Sequence, residues 1–177
     1  MTDASIDEFG APGNKLWHWQ KKADSLLTAA RILRTHAGRS REVRWGTLWP
    51  ELMLWGCAVE ALLKALRLKN AIESRDAEQL LFRNGRLERQ VRTHDLVCLA
   101  HAASFRLDHS QRKILEQLTR AVKHGGRYPL PTKDEAESCY WYGPDGDDEL
   151  DAIVSALKER LPRDPVSYQR EKLDAQH

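Results

Sequence analysis

The apolar residues Leu16, Trp19, Ala23, Leu26, Ala30, Leu33 and Ala37 recur at alternating steps of three and four. That is one face of an amphipathic α-helix, and a strand, whose side chains alternate at every second residue, cannot present it on a single side. Asn14 stands where a side chain caps a first turn and Gly38 where a helix ends. After an Arg-rich loop, Pro50 suits the first position of a second helix, and Leu52, Trp55, Val59, Leu62 and Leu66 repeat the same stepping as far as about Asn70. Further apolar residues surround that stripe, so this helix is expected at the centre of the fold.

The remaining chain reads the same way. Thr93 or Asp95 is placed to cap a third helix running to about Ser104. Asp108 and Ser110 open a fourth, which carries Ile114, Leu115, Leu118, Ala121 and Val122 and stops at Gly125-Gly126. Asp147 and Asp148 open a fifth, with Leu150, Ile153, Val154 and Leu157 on its apolar stripe and Pro162 beyond it. Residues 71–92 are ambiguous, because Ile72, Leu80, Leu81 and Phe82 suggest a short helix that Asn84-Gly85 breaks. Residues 127–146, with three prolines and the run Tyr140-Trp141-Tyr142, read as an extended crossing loop. The expected fold class is all-α, an antiparallel helical bundle of about five helices over residues 14–162. A flexible N-terminus, residues 1–13, precedes it, and a polar tail, residues 163–177, follows.

At 177 residues the chain is long enough for one sizeable core without staples. Its 10 Gly, 7 Pro and 3 Cys exclude collagen-like, low-complexity and disulfide-framework classes. The most apolar window, Trp49 to Leu68, contains Glu51, Glu60, Lys64 and Arg67, which marks a core helix and not a membrane span. An acidic start without a basic and apolar run shows no secretory signal, and the widely spaced Cys57, Cys98 and Cys139 favour a reducing cytoplasm.

The formal charge of +2 conceals an asymmetry. Residues 31–133 hold 20 basic and 10 acidic side chains, whereas residues 134–177 hold 5 and 12. A basic middle beside an acidic end can present a local positive field to phosphates although the total looks neutral. Solvated surface is the plainer explanation of such charge runs, and the acidic end could also be the intramolecular rival of an anionic partner.

Three constellations could carry chemistry. Glu60 and Lys64 stand four apart, in the favourable order for a helix ion pair, within an otherwise apolar stretch where charges need a defined partner. His94, Cys98 and His101 share a stripe with Phe105, opposite Leu96, Leu99, Ala100 and Ala103. They resemble a metal ligand set, but a tetrahedral site wants a fourth ligand that no recognisable spacing supplies, so a polar interface is the better expectation and neither metal nor cofactor is expected. Finally, the fourth helix ends in Arg120, Lys123 and His124, followed through two glycines by Arg127 and Tyr128. Guanidinium groups hold phosphate oxygens in a fork, and histidine exchanges protons near neutrality. A basic last turn followed by glycine is also simply how helices end.

The segments ADSLLTAA at 23–30, AVEALLKAL at 58–66, THDL at 93–96 and GRYP at 126–129 together resemble the HEPN family (higher eukaryotes and prokaryotes nucleotide-binding) over about two thirds of the chain. The resemblance implies a compact antiparallel bundle that often dimerises. It also implies nucleotide or RNA binding, service in toxin–antitoxin or phage-defence systems, and pairing with a minimal nucleotidyltransferase. By position Glu60 and Lys64 match the family's E-x-x-x-K helix, His94-Asp95-Leu96 its H-D-L turn, and Arg127-Tyr128-Pro129 its R-Y-P. HEPN ribonucleases carry Arg, four to six residues, then His. Arg120 and His124 enclose only three, one short of that pattern.

The expected function is therefore a cytoplasmic, homodimeric nucleotide- or RNA-binding module, with Lys123, Arg127, Tyr128, Lys64, Glu60 and His94 on the binding side. The alternatives are a metal-independent endoribonuclease toxin using His124 and Arg120, and a non-catalytic scaffold subunit.

Overall fold

The computed structural model describes residues 12–38, 41–74, 80–83, 86–88, 91–125 and 145–175. They form an all-α bundle: a 3-10 turn at Pro12–Asn14, then α1 (Leu16–Ala37), α2 (Arg41–Ser74), a two-residue antiparallel ribbon β1 (Phe82–Arg83) and β2 (Arg86–Leu87), α3 (Leu96–Ala102), α4 (His109–Arg120), a π-helical turn (Ala121–Gly125), α5 (Asp145–Glu159) and α6 (Pro165–Asp174). The ribbon pairs Phe82 with Leu87 and Arg83 with Arg86. It takes the place of the short helix that the apolar cluster before Asn84 suggested.

The central helix is α2, as its doubled apolar faces require. Trp55, Val59, Leu62, Leu63, Leu66 and Leu68 are buried along it, and Leu16, Leu27, Leu96, Leu115, Leu118, Leu150 and Leu157 pack around them. It begins at Arg41 and not at Pro50, which lies inside it. Proline removes one N–H and presses on the carbonyl four residues back, here Gly46. Both Gly46 and Pro50 are exposed, so the freed carbonyl faces solvent and the helix continues. Gly56 matters more. A methyl group there would meet Val122 and the Leu118 carbonyl, so the bare backbone lets the end of α4 and the π turn lie directly on α2.

Asn14 does not cap α1. It is fully buried and turned to the ribbon, where Oδ1 accepts from the Leu81 and Phe82 amides at 3.1 and 2.9 Å and Nδ2 donates to the Phe82 carbonyl at 2.7 Å. Gln169 caps α1 from α6 instead: its Oε1 accepts the Leu16 amide at 2.9 Å and its Nε2 donates to the Asn14 carbonyl at 2.8 Å. The segment after Pro162, expected to be a polar tail, is thus largely a docked helix. Asp164 caps it by accepting from the Val166 and Ser167 amides, and the Tyr168 hydroxyl donates to Glu73 at 2.8 Å. Periodicity does not show this sixth helix, because beside the buried Gln169 amide only Tyr168 and Leu173 pack against the core, too few for an apolar stripe.

The acidic α5 covers part of the basic surface. Asp151 lies 2.8 Å from Arg31 and 3.7 Å from Arg34, and Lys158 lies 2.5 Å from Asp24. Arg34 also reaches the fully buried Glu51 at 2.8 Å and sits over the Trp55 ring. Among the described residues, no helix is long and apolar enough to cross a membrane.

Candidate functional site

The apolar stripe of α3 predicts its orientation. Leu96, Leu99, Ala100 and Ala103 enter the core, which leaves Cys98 and His101 at the surface. Asp95 caps the helix by accepting the Cys98 amide at 3.0 Å. The far end closes as a Schellman turn, with the Phe105 amide on the Ala100 carbonyl at 2.8 Å, the Ser104 amide on the His101 carbonyl at 3.0 Å, and Ser104 at φ +53° where glycine is usual. That turn packs Phe105 against the core, where it is buried while Cys98 and His101 stay exposed, although all three line one cleft. Asn70 of α2 donates to the Ala103 carbonyl at 3.0 Å, fixing the same end.

α4 is set by a capping box between Asp108 and Gln111 and lies beside α3. Thr119, mostly buried, joins them: its Oγ1 accepts the Leu96 amide at 3.0 Å and donates to the Leu115 carbonyl at 2.7 Å. Along the outer side of this seam runs an open cleft of ≈ 430 Å³ lined by Asp95, Val97, Cys98, Glu116, Thr119, Arg120 and Lys123. Arg120 and Lys123, both assigned to the site from sequence, are therefore brought to one cleft. No ion pair involves either of them among the described residues. Burial, then the Asp95 carboxylate and its hydrogen bond, raise the Cys98 thiol above the ordinary cysteine value against an opposing pull from Lys123. Cys98 is accordingly held as a thiol and not as a nucleophilic thiolate.

Glu60, Lys64 and His94 also converge, although 34 residues separate the first from the last. Lys64 is buried, and its Nζ lies 2.6 Å from Glu60 Oε1 and 5.4 Å from the centre of the Trp19 ring. His94 Nδ1 lies 2.9 Å from Glu60 Oε2, so each carboxylate oxygen takes one partner. A carboxylate only accepts, which places a proton on Nδ1 and leaves the neutral ring's lone pair on Nε2. The imidazole is 47 % exposed. The arrangement is an accessible histidine oriented by a carboxylate that a buried lysine fixes in turn. It adjoins the cleft through the chain, since Asp95 follows His94 directly.

His124 falls in the π-helical turn, whose i→i+5 bonding departs from the α-helical spacing on which the Arg120–His124 pairing rests. Its side chain, like Arg127 and Tyr128, lies outside the described residues. His94, Cys98 and His101 do not gather as ligands, and among the described residues no group of three or more His, Cys, Asp or Glu is placed to hold a metal ion. Sequence reasoning passed over Glu116 and Thr119. Glu116 stands four residues before Arg120 on the same helical stripe, a legible signal, whereas the role of Thr119 depends on which helix lies alongside.

Compared with known protein families, curated proteins and solved structures, the chain matches none.

Proposed function

We propose that the chain is a HEPN-like nucleotide- or RNA-binding module of toxin–antitoxin or phage-defence type, and that the α3/α4 cleft is its phosphate-binding surface. One observation supports this above the others. Among the described residues of the basic middle, Arg31 and Arg34 are matched with Asp151 and Glu51, whereas Arg120 and Lys123 line the cleft without an ion pair. An accessible guanidinium and ammonium suit a phosphate, the guanidinium as a fork and the ammonium as a point charge. Titrating fluorescent mononucleotides and RNA against the full chain across a salt series tests it. Arg120→Ala with Lys123→Ala should weaken binding about tenfold or more and flatten the salt dependence by roughly 0.7 per lost phosphate contact. Binding that is absent, or indifferent to both changes, refutes the reading.

The oriented His94 favours a second reading, a metal-independent endoribonuclease. His94 Nε2 would accept the 2′-hydroxyl proton as that oxygen attacks the neighbouring phosphorus, the P–O5′ bond would break to leave a 2′,3′-cyclic phosphate, and the departing 5′-oxygen would take a proton from water, with Arg120 countering charge on the phosphate oxygens. This reading takes as base His94, which has an orienting partner, beside the assignment of His124, whose side chain lies outside the described residues. RNA incubated with EDTA should be cut by the wild type and by His124→Ala, and left intact by His94→Ala. Equal cutting by His94→Ala excludes the mechanism.

A further inference from the structure

A second cleft, ≈ 640 Å³, begins where the first ends. It is lined by Val97, Cys98, His101, Ser104, Phe105, Arg106, Leu107 and Arg112, and it shares Val97 and Cys98 with the Arg120 cleft. The two clefts therefore adjoin at Val97 and Cys98 of α3, and together they make a channel of two lobes. Arg106 and Arg112 are exposed and, like Arg120 and Lys123, make no ion pair among the described residues. On α4 the residues Arg112, Glu116 and Arg120 succeed one another at four-residue steps, one stripe along the channel wall. Arg106, two residues beyond the Schellman turn at Ser104, lines the second cleft.

The spacing says what such a channel holds. Arg112 and Arg120 are eight residues apart on one helix, about 12 Å of axis at 1.5 Å per residue. A stacked strand advances about 3.4 Å per phosphate, so roughly three to four nucleotides separate the two guanidinium groups. One monophosphate cannot engage both. We infer that the second cleft is a phosphate-binding subsite of its own, and that the ligand is a single-stranded polynucleotide lying along α4 from Lys123 past Arg120 to Arg112 and Arg106. This rests on the Arg120 cleft being the binding surface. Among the described residues, Asp95 and Glu116 are the acidic groups lining the first cleft and none lines the second, although Glu116 stands midway between Arg112 and Arg120 on the α4 stripe.

The test is fluorescence anisotropy on the full chain with labelled AMP, and with oligo-RNA and oligo-DNA of two, four and eight nucleotides, for the wild type, Arg106→Ala/Arg112→Ala and Arg120→Ala/Lys123→Ala. Affinity should rise at least tenfold between two and eight nucleotides. Arg106→Ala/Arg112→Ala should remove that gain, and should lower the salt slope for the octamer by about 1.4. RNA binding above DNA assigns the strand to RNA, and equal binding shows that only the phosphodiester chain is read; both support the channel. If Arg120→Ala/Lys123→Ala weakens every ligand but Arg106→Ala/Arg112→Ala weakens none, the second subsite is wrong and the first cleft stands. If neither pair alters binding, or no ligand binds, both fall.

Discussion

Replacing Glu60 with alanine isolates the interaction that fixes His94. Lys64 is 4 % exposed, so its ammonium relies on Glu60 Oε1 at 2.6 Å and on the Trp19 ring at 5.4 Å. A cation–π contact is worth about 0.5–2 kcal/mol, whereas an ammonium left buried without its carboxylate costs several. The ring cannot hold the charge alone. Glu60→Ala should therefore destabilise the fold by about 3 kcal/mol, lowering Tm by roughly 6–12 °C for a chain of this length. Removing both charges as Glu60→Leu/Lys64→Met should recover all but about 1 kcal/mol, because apolar side chains of similar volume replace a buried pair at little loss. His94→Ala should change stability by less than about 1 kcal/mol, its ring being half exposed. Urea denaturation followed by tryptophan fluorescence reads all three. If Glu60→Ala costs under about 1 kcal/mol, or if the double variant is less stable than Glu60→Ala, the buried pair does not hold the histidine and the reasoning is wrong.

Four further outcomes follow from single contacts. Gly56→Ala should destabilise by about 1–3 kcal/mol in spite of alanine's better helix propensity, since its methyl meets Val122 and the Leu118 carbonyl; an unchanged urea midpoint would show that α4 can retreat. Ser104→Gly should stabilise by about 1 kcal/mol by relieving the φ of +53°, and a loss of stability would contradict the strain. Burial and the hydrogen bond to Glu73 push the Tyr168 phenol well above the ordinary tyrosine value, while for Glu73 burial is outweighed by the hydrogen bonds from Lys69 and Tyr168, which hold it below the ordinary glutamate value. The Tyr168 contribution to stability is thus complete below about pH 10 and lost as pH rises through the folded value, and the Glu73 contribution is present above about pH 4.3 and lost as pH falls through its lowered value. Ultraviolet titration should show one of the four tyrosines ionising late, an effect absent from Tyr168→Phe; four simultaneous titrations near pH 10 would refute the contact. Cys98, though exposed, should react with a disulfide reagent at about pH 7.5 more slowly than a free thiol of ordinary pKa, and Asp95→Asn should accelerate it while keeping a helix cap.

Several parts of the candidate site are legible in the amino-acid sequence. Glu60 and Lys64 are polar residues in an apolar stretch, and burial of charge demands the pairing they make. The two faces of α3 follow from its period, which puts Cys98 and His101 outside and Leu96 and Leu99 inside. Three things are not legible there. The union of His94 with Glu60 joins residues 34 apart, and only the packing of α3 on α2 sets their distance. The burial of Phe105 beyond the end of α3 requires a left-handed residue at 104, and serine gives little warning of one. The helix after Pro162 has no stripe to read, because it is anchored by Gln169 reaching two groups more than 150 residues away.

What the sequence determines by itself is the class of fold and the balance of its charges. Steps of three and four suit only helices, and the basic middle and acidic end are counts that folding cannot alter. Which positive charges remain open is decided by tertiary structure alone. The acidic α5 places Asp151 on Arg31 and Arg34 of α1, while α4 and the π turn after it bring Arg112, Arg120 and Lys123 to the two clefts beside α3, where no described carboxylate pairs with them. The reason is physical: the field that a charge presents depends on what lies within a few ångströms of it, and those distances belong to helix packing and not to chain order.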